Sequence, residues 1–154
     1  MEMQESHELP VPVSKVWAAL NDPEILARAI PGCQSLTQDS DTELSAVVKL
    51  KIGPVSATFK GAVTLSDLNP PHAYVIAGSG TGGVAGGATG SAAVQLEEID
   101  GGAGTRLSYQ VDAAVTGKIA QLGSRLIEST AKKLATAFFK NFIAELTEPD
   151  PAEA

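Results

Sequence analysis

Residues 117–146 read GKIAQLGSRLIESTAKKLATAFFKNFIAEL, and their periodicity decides the fold. Ile119, Leu122, Leu126, Thr130, Leu134, Ala137 and Phe138 recur at three- and four-residue steps, the spacing of one apolar helix face. The stretch predicts one helix of about 45 Å at 1.5 Å rise per residue, with Thr116 as its N-cap. An apolar stripe of that length must be covered, and the residues before it supply the cover.

Working back along the chain, residues 107–115 alternate: Leu107, Tyr109, Val111, Ala113 and Val115 against Arg106, Ser108, Gln110 and Asp112. The same period of two runs through Ala88, Gly90, Ala92, Val94 and Leu96, through residues 74–80, through Val55, Ala57, Phe59, Val63 and Leu65, and through Leu44, Ala46, Val48, Leu50 and Ile52. Gly53-Pro54, Asn69-Pro70-Pro71 and the 101–104 glycines punctuate these runs. Clean alternation means an antiparallel sheet with one face in water. A first strand precedes them, with Met3, His7 and Leu9 inward and Gln4, Ser6 and Glu8 outward. Between it and the other strands lie two short helices: residues 13–20, with Val16, Trp17 and Leu20 on one side, and a second carrying Ile25, Leu26 and Ile30. Asp22-Pro23 starts the second as N-cap and first-turn proline, and Pro31-Gly32 stops it.

The expected architecture is therefore α+β: a curved antiparallel sheet wrapped around a long C-terminal helix, with two short helices after the first strand. The chain of 154 residues suits one domain, residues 1–146, followed by a short acidic disordered tail, 147–154. A net charge of −7 argues against nucleic acid, whose phosphates need clustered Lys and Arg. The single cysteine, Cys33, cannot form an internal disulfide and fits a reducing compartment. The polar start carries no signal-peptide core, and no apolar run is long enough to span a membrane, so a cytoplasmic location is expected.

Most strands put Val, Leu, Ile or Phe inward. Two do not: with Tyr74 and Ile76 inward, so are Gly78 and Gly80, and the following strand adds Ala88, Gly90 and Ala92. Interiors are normally close-packed. Either the helix moves closer over these small residues, or a space remains for an apolar guest of the kind that concave sites hold. Parity and helical phase then put Trp17, Ile25, Ile30, Phe59, Tyr74, Tyr109, Leu122, Leu126, Thr130 and Leu134 along the lining.

The chemistry-bearing residues are sparse. Residues 78–83 match GxGxxG literally, but no helix follows to hold a pyrophosphate, so a flexible hairpin beside the cavity mouth is the better reading. His7 faces inward alone, as core histidines commonly do, and His72 follows Pro71 in a turn. No His pair or Cys–His spacing makes a metal site, no cofactor is indicated, and no paired acid and base offers a catalytic residue. Cys33 reads as a small apolar side chain. On the long helix Lys118, Arg125, Lys132, Lys133 and Lys140 share one face, which is either simply solvated or docks an acidic partner or anionic lipid. Phe139 and Ile143 fall opposite the core stripe, so an exposed apolar patch is expected beside Lys132, Lys133 and Lys140, suited to a partner, a membrane or a homodimer.

Several segments in order resemble one family: Val16-Trp17, Asp22-Pro23, Ile30-Pro31-Gly32-Cys33, Gly53-Pro54-Val55, Phe59-Lys60-Gly61, Gly82-Gly83-Val84-Ala85-Gly86, Thr105-Arg106-Leu107-Ser108-Tyr109, and Leu122-Gly123-Ser124-Arg125-Leu126-Ile127 running on to Ala131-Lys132-Lys133-Leu134 and Phe138-Phe139. Together they resemble the CoxG family of carbon monoxide dehydrogenase proteins, within the START-like, polyketide-cyclase-like (SRPBCC) superfamily. The resemblance implies a helix-grip fold that holds a hydrophobic ligand, a quinone or lipid, between sheet and helix. It implies an accessory rather than catalytic protein, supporting maturation, membrane recruitment or electron transfer of a molybdenum-containing carbon monoxide dehydrogenase or related hydroxylase, at the inner face of the cytoplasmic membrane. Here Glu148, Asp150 and Glu153 near the C-terminus would be repelled by anionic lipid, which disfavours anchoring through that end. The alternatives are a cyclase- or hydrolase-like enzyme on the same fold, with His7 as its acid–base group, and a pure assembly factor.

Overall fold

The computed structural model describes residues 1–147. The acidic tail expected at 147–154 lies outside the described residues except for Thr147, which is still helical. Seven strands form one antiparallel sheet in the order β1-β7-β6-β5-β4-β3-β2. They are β1 (Glu2–Leu9), β2 (Cys33–Ser40), β3 (Glu43–Ile52), β4 (Val55–Asn69), β5 (Ala73–Thr81), β6 (Gly87–Ile99) and β7 (Gly104–Val115). Helices α1 (Val13–Leu20) and α2 (Pro23–Ala29) separate β1 from β2, and α3 (Ser124–Thr147) closes the chain. The sheet curves so that α3 packs against both β1 and β3 from opposite sides, and against α2.

The local chemistry follows the expectations at α1 and α2. Asn21 Nδ2 donates to Trp17 O at 2.9 Å and ends α1. One residue on, Asp22 accepts from Glu24 N–H at 2.9 Å, so the orphan donor at the start of α2 is satisfied and Pro23 has none to lose. At the other end, Asn141 of α3 donates to Ala29 O at 3.1 Å, so the last carbonyl of α2 is capped by the helix it packs on.

Cys33–Ser40 forms a strand that no alternation in the sequence marks: it sits at the sheet edge, with an irregular register against β3. Three expectations need correction. The long helix begins at Ser124, not Gly117. Gly117 (φ 73) and Gly123 (φ 94) adopt left-handed backbone, which breaks the run into a loop, a short 3₁₀ turn at Ala120–Leu122, and a helix of 24 residues. Thr116 is accordingly not an N-cap: its N–H donates to Gly87 O at 2.8 Å. Lastly, Phe139 is buried in the core and Ile143 packs against it, so these two form no exposed patch.

The tightly packed core occupies one end of the grip. Leu9, Val16, Leu107 and Phe142 are its most enclosed side chains, joined by Val13, Leu20, Tyr74, Leu96, Phe139 and Leu146. Thr105, fully buried, donates its hydroxyl to Val11 O at 2.8 Å and ties β7 to the entry of α1.

Candidate functional site: the space between sheet and long helix

Strand register sets the inner face in rows. One row runs Leu65–Ile76–Ala92–Val111–Met3; the next is Val63–Gly78–Gly90–Ala113, and the next Gly61–Gly80–Ala88–Val115. Moving along the rows toward the β5–β6 loop, the side chains shrink and the burial falls. Met3 and Leu65 are buried, whereas Val63, Gly78, Gly80, Ala88, Gly90, Ala113 and Val115 are all half-buried. An added Cβ at Gly80 or Gly90 would meet first the neighbouring strands, at 3.4 Å from Lys60 O and 3.0 Å from Asp112 O, and no atom of α3 is among its nearest contacts.

The facing surfaces agree. Val48, Leu50 and Phe59 on the sheet, and Leu126, Ile127, Thr130 and Leu134 on the first half of α3, are half-buried and stand outside the packed core. In the second half of α3, Phe138 packs on the core while Phe139, Phe142 and Leu146 belong to it. One helix therefore has two environments: its C-terminal half is gripped by the core, and its N-terminal half carries half-buried apolar side chains outside it. The β3–β4 turn lies against the start of α3, since an added Cβ at Gly53 would lie 2.7 Å from Leu126 Cδ2. A cleft of about 370 Å³ opens on the other side, between the end of β7 and the start of α3, with Ala113, Val115 and Ile127 among its walls. The larger depression, about 710 Å³, is unrelated: it lies on the outer face between Gln95, Glu97, Arg106 and Ser108.

The glycine-rich segment is pinned rather than loose. Gly82 N–H donates to Gly86 O at 2.8 Å, and Ile119 N–H donates to Ala85 O at 3.0 Å. Ala85 and Ile119 are both buried, so this loop and the β7–α3 connection close on each other, with Val84 left at the tip, 85% exposed. At Gly86 (φ 105) a side chain would collide with Thr116 O, so only glycine fits.

A polar cluster lies where the core meets the β1 edge. Tyr109 donates its hydroxyl to Glu5 Oε2 at 2.6 Å. The same oxygen is 3.4 Å from His7 Nε2, which is itself buried without an aligned hydrogen bond. The His7 ring stacks on Phe139 at 4.0 Å between centroids. Burial pushes the Tyr109 hydroxyl pKa up, and the hydrogen bond and negative charge of Glu5 push it further; burial alone raises that of Tyr74. Glu5 shares the parity of Met3 and His7, which was the signal available in sequence for an inward acid.

The sequence-predicted lining residues divide between the two regions. Tyr74 and Tyr109 are buried, and Trp17 stacks edge-on against Tyr74 at 5.2 Å. Ile25 packs on the core, and Ile30, Phe59, Leu122, Leu126, Thr130 and Leu134 are half-buried outside it. Lys132, Lys133 and Lys140 are exposed, with Lys132 paired to Glu128 at 3.3 Å. Cys33 is half-buried at the start of edge strand β2, with Sγ 3.4 Å from Ser35 O. Among the described residues no cluster of three or more His, Cys, Asp or Glu side chains could hold a metal, and no helix is long and apolar enough to cross a membrane.

Residues 6–147 match the family model for CoxG, described as a subunit of carbon monoxide dehydrogenase. The chain belongs to the CoxG family. Among solved structures, a conserved protein from Geobacillus kaustophilus is similar at 32% identity over 95% of both chains, with a TM-score of 0.89. The Zhui aromatase/cyclase from Streptomyces sp. R1128 is 14% identical over 95% of this chain and 93% of its own, with a TM-score of 0.68. Protein Ms6760 from Mycobacterium smegmatis is 17% identical over 97% and 92%, with a TM-score of 0.69. The last two show a shared polyketide-cyclase-like, START-like fold. No curated protein sequence matches significantly. CoxG membership and this fold agree with the helix-grip architecture expected from the sequence.

Proposed function

We propose that this CoxG-family chain is a non-catalytic accessory protein that holds an apolar small molecule, a quinone or lipid, between the sheet and the first half of α3, in support of a molybdenum-containing carbon monoxide dehydrogenase-type enzyme. One observation carries the reading: Val48, Leu50, Phe59, Leu126, Ile127 and Leu134 face the interior, yet they are half-buried and stand apart from the packed core. Apolar surface left in contact with water inside a fold costs roughly 25 cal/mol per Å², and a guest that covers it recovers that free energy. The family name supports the enzyme partner. Native mass spectrometry of the purified protein, followed by organic extraction, tests the reading. A bound lipophile released by solvent is expected; a ligand-free protein that also takes up no Nile red would overturn it.

A second reading, an enzyme of the cyclase or hydrolase type, has one observation in its favour. The Glu5 carboxylate lies between the Tyr109 phenol, which donates to it at 2.6 Å, and the His7 imidazole, 3.4 Å away, at the edge of the interior. Turnover that both His7→Ala and Glu5→Gln leave intact would remove this reading.

A further inference from the structure

The charge of this acidic chain is sorted along the strands. At the end bearing the β2–β3, β4–β5 and β6–β7 turns stand the exposed acids Asp39, Asp41, Glu43, Asp67, Glu97, Glu98 and Asp100. At the other end, around the β3–β4 turn, the β5–β6 loop and the β7–α3 connection, stand Lys49, Lys51, Lys60, Lys118 and Arg125, all exposed and none in an ion pair among the described residues. The acids at that end, Glu2, Asp112 and Glu128, lie toward β1 and the side of α3, leaving the arc from β3 to the β7–α3 connection basic. Val84 projects from the middle of the arc. Lys60 pairs with Thr81 at the root of its loop, and Lys118 precedes Ile119, whose N–H holds that loop.

We propose that this end, centred on Lys60, Val84 and Lys118, is a docking surface for a protein that presents an acidic patch. Charge complementarity names the partner: a field of one sign at one pole of a net −7 molecule orients encounter with an opposite field and repels the wrong approach. The loop bearing Val84 is already held by its own hydrogen bonds, so little ordering cost remains on contact. A bilayer fits less well. Interfacial anchoring uses Trp, Phe and Leu, whereas Val84 is the one large apolar side chain exposed at this end among the described residues, the other, Leu68, lying near the β4–β5 turn. The surface is distinct from the Lys132, Lys133, Lys140 face of α3, and the proposal does not depend on what the interior holds.

The test is an NMR titration of the isotope-labelled full chain with a poly-glutamate peptide at low salt. Shifts are expected in the amides of Lys60, Gly82 to Gly86 and Lys118, collapsing as ionic strength rises past about 0.3 M. Combining Lys60→Glu with Lys118→Glu should weaken binding about tenfold, while Lys132→Glu with Lys133→Glu leaves it unchanged. Shifts on the Lys132, Lys133 face, no shifts at all, or binding only to phosphatidylglycerol vesicles would each overturn the proposal. Nile red uptake, measured on the same variants, reports the interior separately, so a failure of the ligand reading is distinguishable from a failure of this one.

Discussion

Tyr109 on β7 and Glu5 on β1 stand directly opposite in register, and their side chains meet in a 2.6 Å hydrogen bond on the inner face of the sheet. An edge strand is thereby fastened to its neighbour by a side-chain contact as well as by the ladder. Tyr109→Phe should cost about 1.5 kcal/mol, the low end for a hydrogen bond to a charged group because Glu5 keeps partial access to water. Urea denaturation measures it; an unchanged midpoint would show that the contact contributes nothing.

The chain has two tyrosines, and both phenols have raised pKa values. A raised folded-state pKa means that the stability from keeping these groups neutral is complete below the unfolded value of about 10 and is lost as pH climbs through the folded values. Alkaline titration should therefore show tyrosinate absorbance rising together with the loss of secondary structure. Tyrosinate forming near pH 10 in the still-folded protein would contradict this.

Core and lining should respond differently to truncation. Phe142→Ala, at a fully buried position, should cost about 3–5 kcal/mol. Leu134→Ala, on the half-buried part of α3, should cost about 1 kcal/mol, with its larger effect on bound lipophile. Chemical denaturation read beside native mass spectrometry separates the two.

Adding bulk gives the converse comparison. Ala88→Phe projects into the half-buried region and should leave stability within about 1 kcal/mol while excluding ligand. Ala19→Phe enters the packed end and should destabilise by at least about 1–3 kcal/mol. Equal destabilisation by both would mean that the two regions are packed alike.

Among the described residues two polar side-chain contacts join α2 to α3, and they should differ in worth. Asn141→Ala leaves the carbonyl of fully buried Ala29 without its donor, at about 1–3 kcal/mol. Arg28→Ala removes a 3.0 Å ion pair with Glu145 in which the arginine is half exposed, at under about 1 kcal/mol. A thermal melt of each variant provides the ranking.

Much of the fold was legible because its signals are local. Alternation in β3 to β7 and the Asp22-Pro23 start of α2 needed no tertiary information. The errors have tertiary causes. Strand β2 is held at an edge through β3 and shows no two-faced pattern of its own. Ile119 and Leu122 match a helical period, yet Gly123 turns the chain between them and α3. Phasing the core face on Leu126, Thr130 and Leu134 puts Phe139 on the wrong side of the wheel. The residues of α3 that meet the core instead include Ala131, Ala135, Phe139, Phe142 and Leu146. The small, half-buried inner face at Gly78, Gly80, Ala88 and Gly90 was legible from alternation, whereas the fastening of the β5–β6 loop to the β7–α3 connection depends on backbone partners far apart in sequence.

The uneven seating of α3 has a consequence for how such a chain can diversify. Because the aromatic anchor at its tail holds the molecule together, residues along its head and the small positions beneath them are free to drift without collapse of the scaffold. Descendants could thus accommodate cargo of new length or girth by exchanging a few methyl groups, while the frame that carries it stays the same.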